Sequence, residues 1–154
     1  MMKSRSTIFS FPLAAVLIVL LAATLLVCAA EGDLKLEAQL VWGTNDQPKN
    51  ESLKAVTPEI AKKLQRLPFK WERYFVMHEK SFSATAKDTT DVEMSKNCKI
   101  TVKNLGDERI ELTIIGKGKS VGKITQSLKN GHTLVTGGNA ENFSGWFIVL
   151  RESK

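Results

Sequence analysis

The stretch from Asn97 to Gly118 reads NCKITVKNLGDERIELTIIGKG. Cys98, Ile100 and Val102 fall on one side of an extended chain, with Lys99, Thr101 and Lys103 on the other. After Asn104-Leu105-Gly106-Asp107 the alternation resumes, with Ile110, Leu112 and Ile114 against Arg109, Glu111 and Thr113. A side-chain period of two on both sides of a Gly-containing turn predicts a β-hairpin with one buried face. A lone hairpin is marginal in water, so a second layer must cover its apolar side.

Strand patterns recur outward from this hairpin. Leu34, Leu36, Ala38, Leu40 and Trp42 alternate with Lys35, Glu37, Gln39 and Val41. Phe69–His78, Ser81–Ala84, Thr90–Met94, Val121–Leu128 and His132–Thr136 read as further extended segments, with a polar bend at Lys87-Asp88 and a tight Asn130-Gly131 reversal. Gly137-Gly138-Asn139 reads as a flexible loop. In the last strand, Trp146, Ile148 and Leu150 alternate with Phe147 and Val149, which predicts cover on both faces. Thr57-Pro58-Glu59 supplies an N-cap, a first-turn Pro and a first-turn acid, and opens a short helix from Pro58 to about Arg66 that caps one end of the sheets. Eight or nine short strands with one minor helix make a mainly β chain, an antiparallel β-sandwich in the immunoglobulin-like or Greek-key style.

The N-terminus has a different composition. Lys3 and Arg5 precede an uncharged apolar run from Phe11 to Val27, which ends in Cys28-Ala29-Ala30. This is the layout of a secretory signal cleaved after Ala30 or Ala29. The run nearly spans the ~20 residues of a membrane helix, so an uncleaved N-terminal anchor is the alternative. Lipid modification of Cys28 is a third reading, with bulky Val27 set against it. The chain thus divides into residues 1–30, a signal or anchor, and residues 31–154, one domain large enough to bury a core. Its expected place is the periplasm, cell envelope or exterior. Removing residues 1–30 takes Lys3 and Arg5 with it and lowers the formal charge from +6 to +4. Such a surface either rests against anionic lipid or glycan or is simply solvated by its lysines.

Catalytic and cofactor signatures are missing. Gly116-Lys117-Gly118-Lys119-Ser120 ends like a phosphate loop, but Thr113 stands where the first Gly is required and strand residues flank it. Its glycines mark a strand end or bulge, and its lysines guard an exposed edge. His78 and His132 are the only histidines, and no Cys or His pair has ligand spacing, so neither a metal nor a cofactor is expected. Asp88, Asp91 and Glu93 lack the alternating ligands and the fixed Gly of a calcium loop. With Cys28 removed, Cys98 is a lone thiol sharing a face with Ile100 and Val102, and reads as a small buried hydrophobe.

Three groups remain as candidate sites. Lys99, Lys103 and Arg109 on the outward side of the hairpin form a basic stripe suited to acidic glycan, lipid or protein. The aromatic residues Trp42, Trp71, Trp146 and Tyr74 read mainly as core, with Tyr74 and Phe147 as the exposed exceptions available for binding. His132, Asn139 and Glu141 would supply a hydrolase-type site at the loop ends.

The runs Leu40-Val41-Trp42-Gly43-Thr44-Asn45, Pro68-Phe69-Lys70-Trp71 with Tyr74-Phe75, and Val102-Lys103-Asn104-Leu105-Gly106 carry a resemblance. They are followed by Gly137-Gly138 and Trp146-Phe147-Ile148-Val149-Leu150-Arg151. Together they resemble a group of small exported bacterial proteins of unknown function. The resemblance implies export from a bacterial cell and carries no activity with it. The expected function is that of a non-enzymatic envelope protein that binds a protein partner or an anionic surface. No nucleic-acid role is expected, and membrane contact is expected only through the N-terminal segment. A small secreted hydrolase and a membrane-tethered structural subunit are the alternatives.

Overall fold

The computed structural model describes residues 32–48 and 52–153. The chain divides into two units, residues 1–30 and Glu31–Lys154, and the described residues belong to the second. The readings of a signal, an anchor or a modified Cys28 lie outside the described residues. In chain order the strands are β1 (Leu34–Thr44), β2 (Lys54–Ala55), β3 (Arg73–Ala84), β4 (Thr89–Ser95), β5 (Cys98–Gly106), β6 (Arg109–Gly116), β7 (Lys119–Ser127), β8 (Leu134–Ala140) and β9 (Ser144–Glu152). Among the described residues one α-helix, α1 (Pro58–Leu64), lies between β2 and β3. Two antiparallel sheets result, β2-β3-β1-β9-β8 and β4-β5-β6-β7.

The hairpin Asn97–Gly118 forms β5 and β6, the two central strands of the smaller sheet. Its turn residues are Asp107 and Glu108, both at positive φ (54°). That is the twist-matched reversal a two-residue hairpin needs. Ile100, Val102, Ile110, Leu112 and Ile114 face Leu34, Leu36, Ala38, Leu134, Ile148 and Leu150 of the larger sheet in one core. Each fully buried aliphatic side chain contributes roughly 1.5–3 kcal/mol, so this seam holds the two layers together. The chain is a β-sandwich.

Asn104 joins the layers at a corner. Its buried amide donates to the carbonyl oxygens of Ala84 (3.0 Å) and Gly32 (3.3 Å), and its side-chain oxygen accepts from the Gly106 amide (2.9 Å). Every bond is made to backbone, which is what keeps a buried amide from being costly.

The larger sheet is covered on its other face too. Ile60 and Leu64 of α1 pack with Val41, Tyr74, Phe147 and Val149, and Phe69 and Trp71 join them from the segment after the helix. The helix therefore lies on the outer face of the sheet rather than capping one end, because its one apolar stripe meets the apolar second face of β1 and β9. Thr57 caps it by accepting from the Ile60 amide (3.4 Å). The rings of Phe69 and Tyr74 meet Phe147 edge-on at 5.3 and 5.6 Å.

This second layer explains the glycines. A Cβ at Gly43 would lie 2.8 Å from the Phe147 ring, one at Gly145 would strike the Trp71 indole, and one at Gly137 would meet the Trp146 carbonyl and the Phe147 ring. Gly137 and Gly138 are thus strand residues of β8, paired with Phe147 and Trp146. They do not open a loop, since the missing side chains are what admit the aromatic rings.

Phe69–Trp71 precede β3 rather than beginning it, and Ser81–Ala84 continue the same strand. A bulge at Met77, where Leu40 pairs with His78 but Val41 with Val76, switches which residues of β3 face inward. Lys117-Gly118 is the turn of the β6–β7 hairpin, with Lys117 at φ 48° and Gly118 at φ 76°. β7 is an edge strand carrying Lys119 and Lys123, with an extra residue, Val121, bulged between Ser120 and Gly122. Among the described residues, no helix is long and apolar enough to cross a membrane.

Gly137→Ala is expected to lower unfolding stability by about 1–3 kcal/mol through overpacking. At Gly122, where an added Cβ meets nothing within 4 Å, the same change stays within about 0.5 kcal/mol. Urea unfolding of the two variants measures the contrast.

Candidate functional site

Lys99, Lys103 and Arg109 do lie on the outer face of the smaller sheet, but acids are interleaved with them. Asp91 on β4 holds Lys99 at 3.0 Å and accepts from the Thr101 hydroxyl at 2.7 Å. Glu111 stands opposite Lys103 in register and binds Lys123 at 2.9 Å. The Thr101 and Lys99 hydrogen bonds hold the Asp91 carboxyl below its usual pKa, so it stays ionised beside the lysine. Among the described residues Lys103 and Arg109 make no ion pair. The face is a mixed-charge ladder, with these two side chains as its free basic corner.

Tyr74 and Phe147 are not exposed. Tyr74 is 4% accessible and Phe147 fully buried. The bulge in β3 and the Phe69–Trp71 segment explain the difference, because they put Tyr74 beneath the outer layer. The Tyr74 hydroxyl has no protein hydrogen-bond partner, and burial raises its pKa. It is unavailable for surface binding.

His132, Asn139 and Glu141 do not share a cleft. His132 precedes β8 while Asn139 and Glu141 lie at its far end, roughly 20 Å away at strand rise per residue. A polar hollow of about 560 Å³ lies beside Asn130, Thr133, Arg151 and Glu59. Close by on the same sheet, Arg151 is tied to Glu37 at 2.7 Å, and Gln39 bonds both Glu37 (3.2 Å) and Glu79 (2.6 Å). These groups are committed to one another. Among the described residues no three His, Cys, Asp or Glu side chains are placed to hold a metal.

A second concave site, apolar in lining, lies at the opposite end of β8. There the two sheets splay to leave a cleft of about 490 Å³. Leu40 and Trp146 form its wall on the larger sheet, and Cys98, Ile114 and Val121 its wall on the smaller one. Ser95, Asn97, Lys117, Asn139 and Glu141 make the polar rim. Two small residues, Gly116 on β6 and Ala140 on β8, line the opening. Across the rim, Lys117 on the β6–β7 turn reaches Glu141 at 3.0 Å.

A second apolar hollow of about 280 Å³ adjoins it, sharing Leu40, Ala140 and Trp146 and adding Trp42, Leu53 and Met77. Trp42 stands between Trp146 and Phe75 in register, with the Phe75 ring centroid 6.1 Å away. Met77 and Val121 remain 43% and 55% exposed, and Phe143, at the tip of the β8–β9 turn, is 93% exposed. Apolar surface gathered at one end of a small domain, ringed by polar residues, is the pattern of a binding site. The sequence named Trp42 and Trp146 among the aromatics and put Leu40 and Ile114 on apolar strand faces, without joining them into a cleft. The isolated Val121 beside four polar or glycine neighbours was the available signal.

Cys98 is half-buried in the cleft wall, and burial pushes its thiol pKa up. No protein-family model matches the chain, no curated protein matches it in sequence, and no solved structure matches it.

Because the thiolate is the reactive form, Cys98 is expected to alkylate more slowly with iodoacetamide at pH 7 than a free cysteine does. Its rate keeps rising with pH beyond the point where an ordinary thiol levels off. A plateau near neutral pH would show a lowered, activated thiol instead.

Proposed function

We propose that the chain is an exported, non-enzymatic binding module of the cell envelope whose working surface is the apolar cleft at the splayed end of the sandwich. The observation that carries this is the cleft itself, between Leu40, Trp146, Ile114 and Val121, with a trough continuing over Trp42 and Met77. Such a surface gains by covering apolar area, and its size lies in the range of ligand sites. The chemistry around it supports binding rather than turnover. Burial pushes the Cys98 thiol pKa up, away from the reactive thiolate, and Lys117 and Glu141 are tied to each other as an exposed ion pair.

The sequence expected either a protein partner or an anionic envelope surface. The cleft favours a partner that brings apolar surface. Attachment through charge alone has less support, since Lys99 is already held by Asp91. Lys103 and Arg109 could add attraction at long range, weakened by salt. Export rests on the Lys3/Arg5, Phe11–Val27 and Cys28-Ala29-Ala30 pattern.

Nile red, a neutral apolar dye, is expected to bind the folded protein at one saturable site. Val121→Asp, at a position more than half exposed, is expected to weaken that binding by roughly tenfold or more by placing a charge against apolar wall. A dye that ignores the folded protein, or binds the variant equally, counts against the cleft. For localisation, fractionation is expected to place the protein outside the cytosol. Recovery of the intact chain from the cytosol overturns the export reading.

A further inference from the structure

We infer that the cleft receives a long-chain carboxylate, with its hydrocarbon chain along the apolar trough and its anionic end at the lysine rim. This rests on the binding reading above and names the ligand for that site. Shape is the first ground. The cleft and the adjoining hollow share Leu40, Ala140 and Trp146, so the apolar floor is elongated rather than round. An unbranched chain covers such a floor with the fewest gaps.

The second ground is what the floor lacks. The buried polar atoms without a protein partner among the described residues belong to Gln39, Trp71, Arg73 and Tyr74, and none of these residues lines the trough. Leu40, Ile114 and Val121 have no hydrogen-bonding side-chain atoms and Trp146 has only its indole N–H, the other polar groups standing at the rim. A peptide laid there would bury backbone N–H and C=O groups without partners, at a cost that a hydrocarbon does not incur.

Charge at the mouth is the third. Lys117 is the cation that lines the rim. The Lys117 amide donates to the Asn97 carbonyl at 2.9 Å, which holds the two turns together. Glu141 is the acid on the rim. Its pair with Lys117 is exposed on both sides, at 72% and 84%, so it is weak and easily exchanged. A ligand carboxylate can replace Glu141 at the Lys117 ammonium.

The test displaces Nile red from the purified protein with laurate, and with dodecanol as the uncharged control of equal chain length. Laurate is expected to displace the dye saturably and about threefold more effectively than dodecanol, the scale of one exposed charge contact. Lys117→Glu is expected to abolish or reverse that preference while leaving dodecanol unchanged, and Val121→Asp to weaken both. Dye binding that laurate cannot displace overturns the inference and leaves the binding reading standing, whereas absence of dye binding removes the reading itself. Equal displacement by laurate and dodecanol, or a preference that survives Lys117→Glu, overturns the anionic end. Co-flotation with phosphatidylglycerol vesicles without any response to free laurate overturns it in favour of a membrane surface, and displacement of the dye only by an apolar peptide does so in favour of a protein.

Discussion

Burial of apolar side chains on both faces of the larger sheet is the constraint that organises this molecule. In β9, Ile148 and Leu150 point to one side while Phe147 and Val149 point to the other, and all four are buried. A strand of that kind cannot sit at a solvated surface. One face is covered by the four-stranded sheet, the other by α1 and the aromatic segment behind it. The close approach of that outer layer then excludes side chains at Gly43, Gly137 and Gly145. The glycines, the aromatic residues and the helix are parts of one requirement.

The two faces are closed to different degrees. On the outer side Phe147 is enclosed by Phe69 and Tyr74. On the inner side the smaller sheet does not cover the whole of the larger one. His78 and Lys80, which pair with Leu40 and Ala38, remain exposed, and Trp42, Phe75 and Met77 project as a ledge. Where the sheets part, Gly116 and Ala140 are too small to fill the gap. An opening made from small side chains and bordered by tryptophans is a built feature of the inner face. Burial in its wall pushes the Cys98 thiol pKa up, and its rim carries Lys117 and Glu141.

Charge on the flat outer face of the smaller sheet serves a different end. Asp91, Lys99, Glu111 and Lys123 pair across strands, which solubilises the sheet and adds a little stability per pair. Such pairing also spends the basic residues that would otherwise attract an anionic surface. Lys117 differs in lying on the rim of the apolar cleft, in an ion pair with Glu141 that is exposed on both sides.

Alternation in the sequence was sufficient for the strands of the hairpin, for the first half of β1 and for the two-sided burial of β9, because a period of two states directly which side chains share a face. The Thr57-Pro58 signal likewise located the helix start. Local pattern failed at Gly137-Gly138, which reads as a loop until Phe147 and Trp146 are seen to need the space. It failed also at Tyr74, whose face depends on a one-residue bulge at Met77 that no periodicity announces. The two layers and their seam were therefore determined by the sequence through short-range geometry. The position of the helix, the enclosure of Tyr74 and the opening between Leu40, Ile114 and Trp146 were decided only by the tertiary structure, since each depends on how far residues distant in the chain approach one another.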